Sequence, residues 1–223
     1  MRNPQYNQQT EYLENLISPT SPLLDECEKQ SRAASEHFGL AGISLSRGEA
    51  HILRWLTQLK PTKKAVEIGT LTGLSGLYIL DGLEKGGQLW TLEKNSEHAE
   101  AAQPILQKFA AGNDKKVELV VGDARETLPS LEAQGPFDFI FIDGNKAAYG
   151  DYLDWSEKNL KPGGILVADN VFLGGSVYGS TEARFSEKQI QVMKKFNERL
   201  MDSDIWRGAL LPTNEGLFIA ERV

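Results

Sequence analysis

The chain has 223 residues, 40% of them hydrophobic and 25% charged, enough to bury one substantial core in a water-soluble domain. Its formal net charge of −7 argues against a broad nucleic-acid footprint, which needs a basic face, although a local basic patch remains compatible. The single cysteine, Cys27, excludes an intramolecular disulfide and a cysteine-rich zinc site, no apolar run reaches the roughly 18 residues of a membrane span, and the polar start MRNPQYNQQTEYLE lacks the apolar segment of a signal peptide. A reducing, cytoplasmic location is expected.

Residues 1–60 read as helices broken at Ser18-Pro19-Thr20-Ser21-Pro22. Leu13, Leu16 and Ile17 form one apolar face, and Ala50, Ile52, Leu53, Leu56 and Leu59 another. Between them a loop from Gly42 leads into a helix with Ser46 as predicted N-cap and Glu49 three residues on, the pattern of a capping box. From Lys64 strands and helices alternate. Residues 65–68, 88–92 and 117–121 read as strands, with helices over 74–83 and 97–110 between them. A short helix over 125–133 precedes a strand at 137–142. A crossover helix over 146–160 follows, closed by Lys161-Pro162-Gly163-Gly164, and then a strand at 165–168. An amphipathic helix over 188–201 and two short strands near 209–211 and 217–220 end the chain. There is no internal repeat. Such alternation predicts an α/β fold with a doubly wound, mostly parallel sheet. One domain over 1–223 is expected, with 1–42 a helical appendage and 64–223 the α/β core.

The first strand runs into Glu67-Ile68-Gly69-Thr70-Leu71-Thr72-Gly73-Leu74-Ser75-Gly76. Glycines here permit a tight turn and close approach of a ligand to the main chain, and they are also common for purely structural reasons. The spacing is E-x-G-x-x-x-G rather than the G-x-G-x-x-G of a pyrophosphate cradle. Glu93 ends the second strand about twenty residues beyond the loop, where a carboxylate accepts both hydroxyls of a ribose. Asp123-Ala124, at the end of the third strand, is placed to flank an adenine ring. A ligand that carries a nucleoside without a pyrophosphate fits this set.

The apolar runs at 137–142 and 165–168 each end in a carboxylate, Asp143 and Asp169. Runs this apolar read as strands buried on both faces of a parallel sheet. Parallel neighbours joined by one helix end at the same sheet edge, where open α/β folds bind ligands. Asp143, Asp169 and the Asn170 amide would then converge as hard oxygen donors suited to a cation such as Mg²⁺. Asp-Gly-Asn and Asp-Asn are also ordinary turn sequences, and each alone is explained as a helix N-cap. Read locally, Lys146 is a solvated lysine in a first helical turn.

These residues together resemble the cation-dependent O-methyltransferases of the catechol and caffeoyl-CoA type, which use S-adenosylmethionine. The resemblance covers nearly the whole chain: Ile43-Ser44-Leu45-Ser46, VEIGTLTGLS, Glu93, FIDGNK, KPGGILVADN and the closing LPTNEGLFIAER. It implies a Rossmann-like class I methyltransferase fold. It implies that Glu67, Gly69, Thr70 and Ser75 line the methionine portion of the cofactor, near the backbone of Ile43 and Leu45. Glu93 would bind the ribose, and Asp123 and Ala124 the adenine. Asp143, Asp169 and Asn170 would hold the metal, with Asp143 also touching the cofactor. Lys146 stands at the catalytic lysine, accepting the acceptor's proton if neutral or stabilising the oxyanion if charged. A homodimer paired partly through the N-terminal helices is also implied. Two departures touch the substrate wall. Asn145 stands where many relatives have a second aspartate, and Val171-Phe172 follows Asp169-Asn170 where relatives often have tryptophan.

The expected activity is thus methylation of a hydroxyl on a small catechol-like or phenolic acceptor. An alternative on the same fold is a tRNA hydroxyuridine O-methyltransferase, against which the acidic charge counts. An NAD-dependent oxidoreductase is opposed by the absent G-x-G-x-x-G, and a non-catalytic binding module by the retention of Lys146 and all three metal donors. His37, His51 and His98 are scattered over helical segments and read as structural.

Overall fold

The computed structural model describes residues 4–179, 185–213 and 215–223, in two compact units, 1–124 and 125–223. Met1, Arg2 and Asn3 of the polar start and Asn214 of the closing motif lie outside the described residues.

The first unit opens with α1 (Pro4–Leu16), α2 (Pro22–His37) and α3 (Arg47–Gln58). Local chemistry sets their starts. Ser21 caps α2 through the Leu24 amide at 3.1 Å, with Pro22 in the first turn, where its missing N–H costs nothing. Ser46 and Glu49 form the expected capping box on α3. The unit continues with β1 (Lys64–Ile68), α4 (Leu74–Gly82), β2 (Gln88–Glu93), α5 (Ser96–Gly112) and β3 (Lys116–Val121).

The three strands are parallel with β2 in the middle, pairing Ile68 with Leu92 and Glu93 with Val121. Their C-terminal ends therefore share one edge, as βαβ crossovers require. Four of the five residues of β1 are buried and α4 is buried almost throughout, which explains why its sequence shows no polar face. β3 is less covered, with Val121 53% exposed.

A buried ionic node pins the N-terminal helices. Glu28 of α2 accepts from Arg32 at 2.8 Å, from Arg47 at 2.9 Å and from the Tyr78 hydroxyl of α4 at 2.7 Å. Arg47 also donates to the carbonyls of Glu14 and Ile17, closing the C-terminal end of α1. Burial alone would raise the Glu28 carboxyl, but hydrogen bonds from Arg47, Tyr78 and Arg32 outweigh it and hold it below the usual range.

The second unit holds α6 (Ala124–Thr127, beginning at the boundary), a 3-10 segment Leu128–Gln134, β4 (Phe137–Ile142), a 3-10 turn Lys146–Ala148 and α7 (Tyr149–Asn159). Then come β5 (Leu160–Asp169), a 3-10 segment Leu173–Tyr178, α8 (Glu187–Leu200), β6 (Trp206–Leu211) and β7 (Leu217–Arg222). The strand order is β4-β5-β7-β6, parallel between β4 and β5 and antiparallel at β7 and β6.

Two expectations are corrected. The segment Lys161-Pro162-Gly163-Gly164 does not follow a helix into a turn; it lies within β5, whose Leu160 already pairs with Phe137. The register shifts between Phe137 and Phe139, so the extra residues of β5 bulge out, with Gly163 at φ +76°. The predicted helix over 125–133 is one turn of α-helix followed by 3-10 structure, with Pro129 at the junction. With those changes, seven strands and their flanking helices make the α/β arrangement that the alternation predicts. No helix among the described residues is long and apolar enough to cross a membrane.

Candidate active site

In the first unit the candidates gather at the shared strand edge. The chain leaves β1 through Gly69 (φ +104°), Leu71 (φ +49°) and Gly73 (φ +91°), left-handed turns that only the glycines adopt without strain. The amides of Gly69 and Thr70 both donate to the Leu92 carbonyl, at 2.9 and 3.2 Å. Glu93 binds the loop with its side chain, accepting from the Leu71 amide at 2.8 Å and from the Asn95 amide at 2.9 Å. A carboxylate has about four lone-pair sites, so two acceptor directions remain for hydroxyl donors.

Glu67 is buried and accepts from Thr91 Oγ1 at 2.6 Å; Thr91 in turn meets Thr70. A Cβ at Gly76 would lie 2.9 Å from Glu67 Oε2, so the absent side chain makes room for that carboxylate. Gly73 caps α4 without a side chain, which leaves the first-turn amides, beside Ser75, available to an anionic group. Thr72 and Ser31 hydroxyls meet at 3.2 Å and tie the loop to α2.

Leu45 is buried and Ile43 is 60% exposed on the loop before α3, whose Ser44 pairs with Ser35 of α2 at 3.1 Å. The Ile43 amide donates to the Leu40 carbonyl at 3.0 Å. β3 ends at Val121, so Asp123 stands two residues beyond the strand, held by Lys94 at 3.0 Å, and Ala124 begins α6.

In the second unit Ile142 pairs with Ala168, so Asp143 and Asp169 occupy equivalent places at the ends of adjacent parallel strands. Lys146 Nζ donates to Asp143 Oδ1 and to the Tyr149 hydroxyl, each at 2.7 Å. Tyr149 donates to the Asp169 carbonyl at 2.8 Å. Asn170, at φ +58°, gives its backbone N–H to Asp169 Oδ1 at 2.7 Å and its Nδ2 to Oδ2 at 3.1 Å, which leaves its own side-chain carbonyl as the atom able to ligate. The Lys146 side chain is 14% exposed, which removes the solvated-lysine reading. Burial pushes its ammonium down, yet Asp143, together with Tyr149 and Asp169, outweighs burial and holds it above the ordinary lysine range. Burial pushes the Tyr149 phenol up against the opposing pull of Lys146, so it stays protonated.

Among the described residues there is no group of three His, Cys, Asp or Glu poised for a metal, so the predicted set depends on the Asn170 amide as third donor. Two carboxylates and an amide oxygen fit a hard cation. The sequence reading missed Tyr149. Its signal was the three-residue spacing Asp143-x-x-Lys146-x-x-Tyr149, which returns the phenol to the strand ends.

Comparison with known proteins matches residues 18–223 to a family model described as O-methyltransferase. A catechol O-methyltransferase of Niastella koreensis is 34% identical over 196 residues, covering 87% of this chain and 86% of that protein. Among solved structures, the O-methyltransferase TomG from Streptomyces achromogenes, in complex with SAM, is 28% identical with TM-score 0.84, covering 100% of this chain and 99% of that one. An O-methyltransferase from Bacillus cereus in complex with SAH is 28% identical with TM-score 0.83, with 97% of each chain covered.

Proposed function

The chain belongs to the O-methyltransferase family, and on that premise we propose that it methylates a hydroxyl of a small catechol-like or phenolic acceptor, using S-adenosylmethionine and a divalent cation. The observation that carries the finer reading is the cluster of Asp143, Lys146, Asp169 and Asn170 at the ends of β4 and β5. The catechol O-methyltransferase relative supports the acceptor class, and the SAM-bound relative supports the cofactor.

When bound, the cofactor supplies an electrophilic sulfonium methyl group, and a cation held by Asp143, Asp169 and Asn170 supplies Lewis acidity. The rest is the work of the chain. Glu93 accepts the ribose hydroxyls while its other lone pairs hold the loop. The uncapped start of α4, with Glu67, Gly69, Thr70 and Ser75, receives the methionine end. Asp123 and Ala124 border the adenine, and Ile43 and Leu45 the methionine side. Lys146 Nζ, held as an ammonium by Asp143, faces the developing oxyanion of the acceptor. We also place the protein in the cytoplasm as one methyltransferase domain over 1–223, with 1–42 as helical appendage.

Purified protein incubated with labelled S-adenosylmethionine, Mg²⁺ and a panel of catechols and tRNA tests the proposal. Label is expected on a catechol hydroxyl, lost on chelation and restored by Mg²⁺ or Mn²⁺. Full turnover in excess chelator removes the cation from the reading, and label on tRNA alone moves the acceptor.

A further inference from the structure

Tyr149 is fully buried, with Phe196 of α8 edge-on at 5.1 Å and Tyr152 beside it at 6.1 Å. Its hydroxyl sits where three pieces of chain cross. It accepts from Lys146 Nζ at 2.7 Å and donates to the Asp169 carbonyl at 2.8 Å, with the Ile142 carbonyl at 3.4 Å. Those carbonyls belong to the last residues of β5 and β4. The phenol is thus fixed by ring packing and by the strand-end backbone.

We propose that Tyr149 is the positioning residue of Lys146, anchoring its ammonium at the strand ends independently of Asp143. This rests on the reading of Lys146 as the group that acts on the acceptor hydroxyl. A lysine has a flexible four-carbon stem, and fixing it costs rotamer entropy of up to about 2 kcal/mol. Asp143 alone is a poor anchor, because the same carboxylate is a candidate donor to the cation and cannot be committed wholly to the lysine. Besides the lysine, the Tyr149 hydroxyl meets main-chain carbonyls. It keeps Nζ in place when an Asp143 oxygen turns elsewhere, and its proton is already committed to the Asp169 carbonyl, so its lone pair faces the lysine.

The test is Tyr149→Phe, which keeps the ring and removes only the hydroxyl. Cofactor affinity and acceptor KM are expected to hold while kcat falls about 10- to 100-fold, the usual loss for an outer partner of a reacting group. In a Lys146→Ala background the same substitution should change kcat less than about twofold, since its effect passes through the lysine. Equal losses in both backgrounds would make Tyr149 a packing residue and overturn the proposal. A second readout needs no turnover. In the ¹⁵N spectrum of lysine ammonium groups of the free protein, the signal absent from Lys146→Ala should be protected from solvent exchange in the parent and lost in Tyr149→Phe; its persistence overturns the anchoring. Should Tyr149→Phe fail to fold, 3-fluorotyrosine at position 149 should shift its ¹⁹F resonance on Lys146→Ala, and an unmoved resonance overturns it. If Lys146→Ala alone leaves kcat intact, the catalytic reading of the lysine fails, whereas the spectra still decide the anchoring.

Discussion

The Glu93 carboxylate accepts the amide of Leu71 at 2.8 Å, and Leu71 is a non-glycine residue held at φ +49°. The strand-end acid therefore shapes the glycine loop as well as offering acceptors to a ligand. A leucine in the left-handed region costs of order 1 kcal/mol or more, which the hydrogen bond to Glu93 helps offset.

Glu93→Ala should accordingly weaken S-adenosylmethionine binding by roughly 1.5–3 kcal/mol, the scale of charge-assisted hydrogen bonds. Titration calorimetry measures it. Unchanged affinity would leave Glu93 with the loop alone and send the ribose elsewhere.

Lys146→Ala should leave cofactor affinity nearly intact and lower kcat by about 10²–10⁴, the range for loss of a general acid or base. Raising the pH should restore part of the rate, because hydroxide can then remove the acceptor's proton. A mutant whose only defect is a raised KM would make Lys146 a binding residue.

Glu28 gives the pH dependence of stability. Its folded pKa lies below the unfolded value of about 4.3, so its contribution is complete above that value and is lost as pH falls through the folded pKa. Glu28→Gln leaves Arg47 and Arg32 with Glu14 as their remaining carboxylate, at 3.8 and 3.4 Å. Both arginines keep some solvent, at 18% and 31% exposure, so the loss should be roughly 2–3 kcal/mol near pH 7, under the ~3–5 of a fully buried pair. Urea unfolding of both proteins from pH 7 to 3 should show the gap narrowing below about pH 4. A gap that stays constant would locate the effect in packing.

The N-terminal helices carry the expectation of a homodimer. Tyr12, Leu16, Trp55 and Leu59, on or at the ends of α1 and α3, are each more than half exposed, a large apolar display for helices that pack on their other faces. Sedimentation velocity at micromolar concentration should give a dimer, and Leu16→Glu with Trp55→Glu should give a monomer. A monomeric parent removes the claim.

The sequence was most legible where burial is most uniform. The apolar run 137–142 matches β4 residue for residue, because a strand covered on both faces needs no polar alternation. The capping box of α3 and the glycine loop were equally readable, since their chemistry is local. Lys161-Pro162-Gly163-Gly164 misled because Pro and Gly ordinarily end elements; only the pairing of Leu160 with Phe137 makes them a bulge within a strand. Lys146 read locally as solvated because its burial depends on Tyr149 and on strands distant in sequence. Tyr149 itself looked like one more aromatic of a crossover helix, as nothing local announces a hydroxyl aimed at two strand-end carbonyls.

The ladder that aligns Ile142 with Ala168 and Asp169 with Leu217 also separates two kinds of heritable change. Asp143 and Asp169 are aimed by hydrogen-bonded strands, so their geometry is inherited from the sheet. The chain that follows runs from Asn170 through Leu173, Gly174, Gly175 and Gly179, all at positive φ, and leans on Glu215 and Gly216 rather than on the strands that aim the carboxylates. Drift or grafting in residues 171–179 can therefore reshape what lies beside the reacting groups without re-aiming them, which makes this short stretch the natural place for new acceptor preferences to evolve or be engineered.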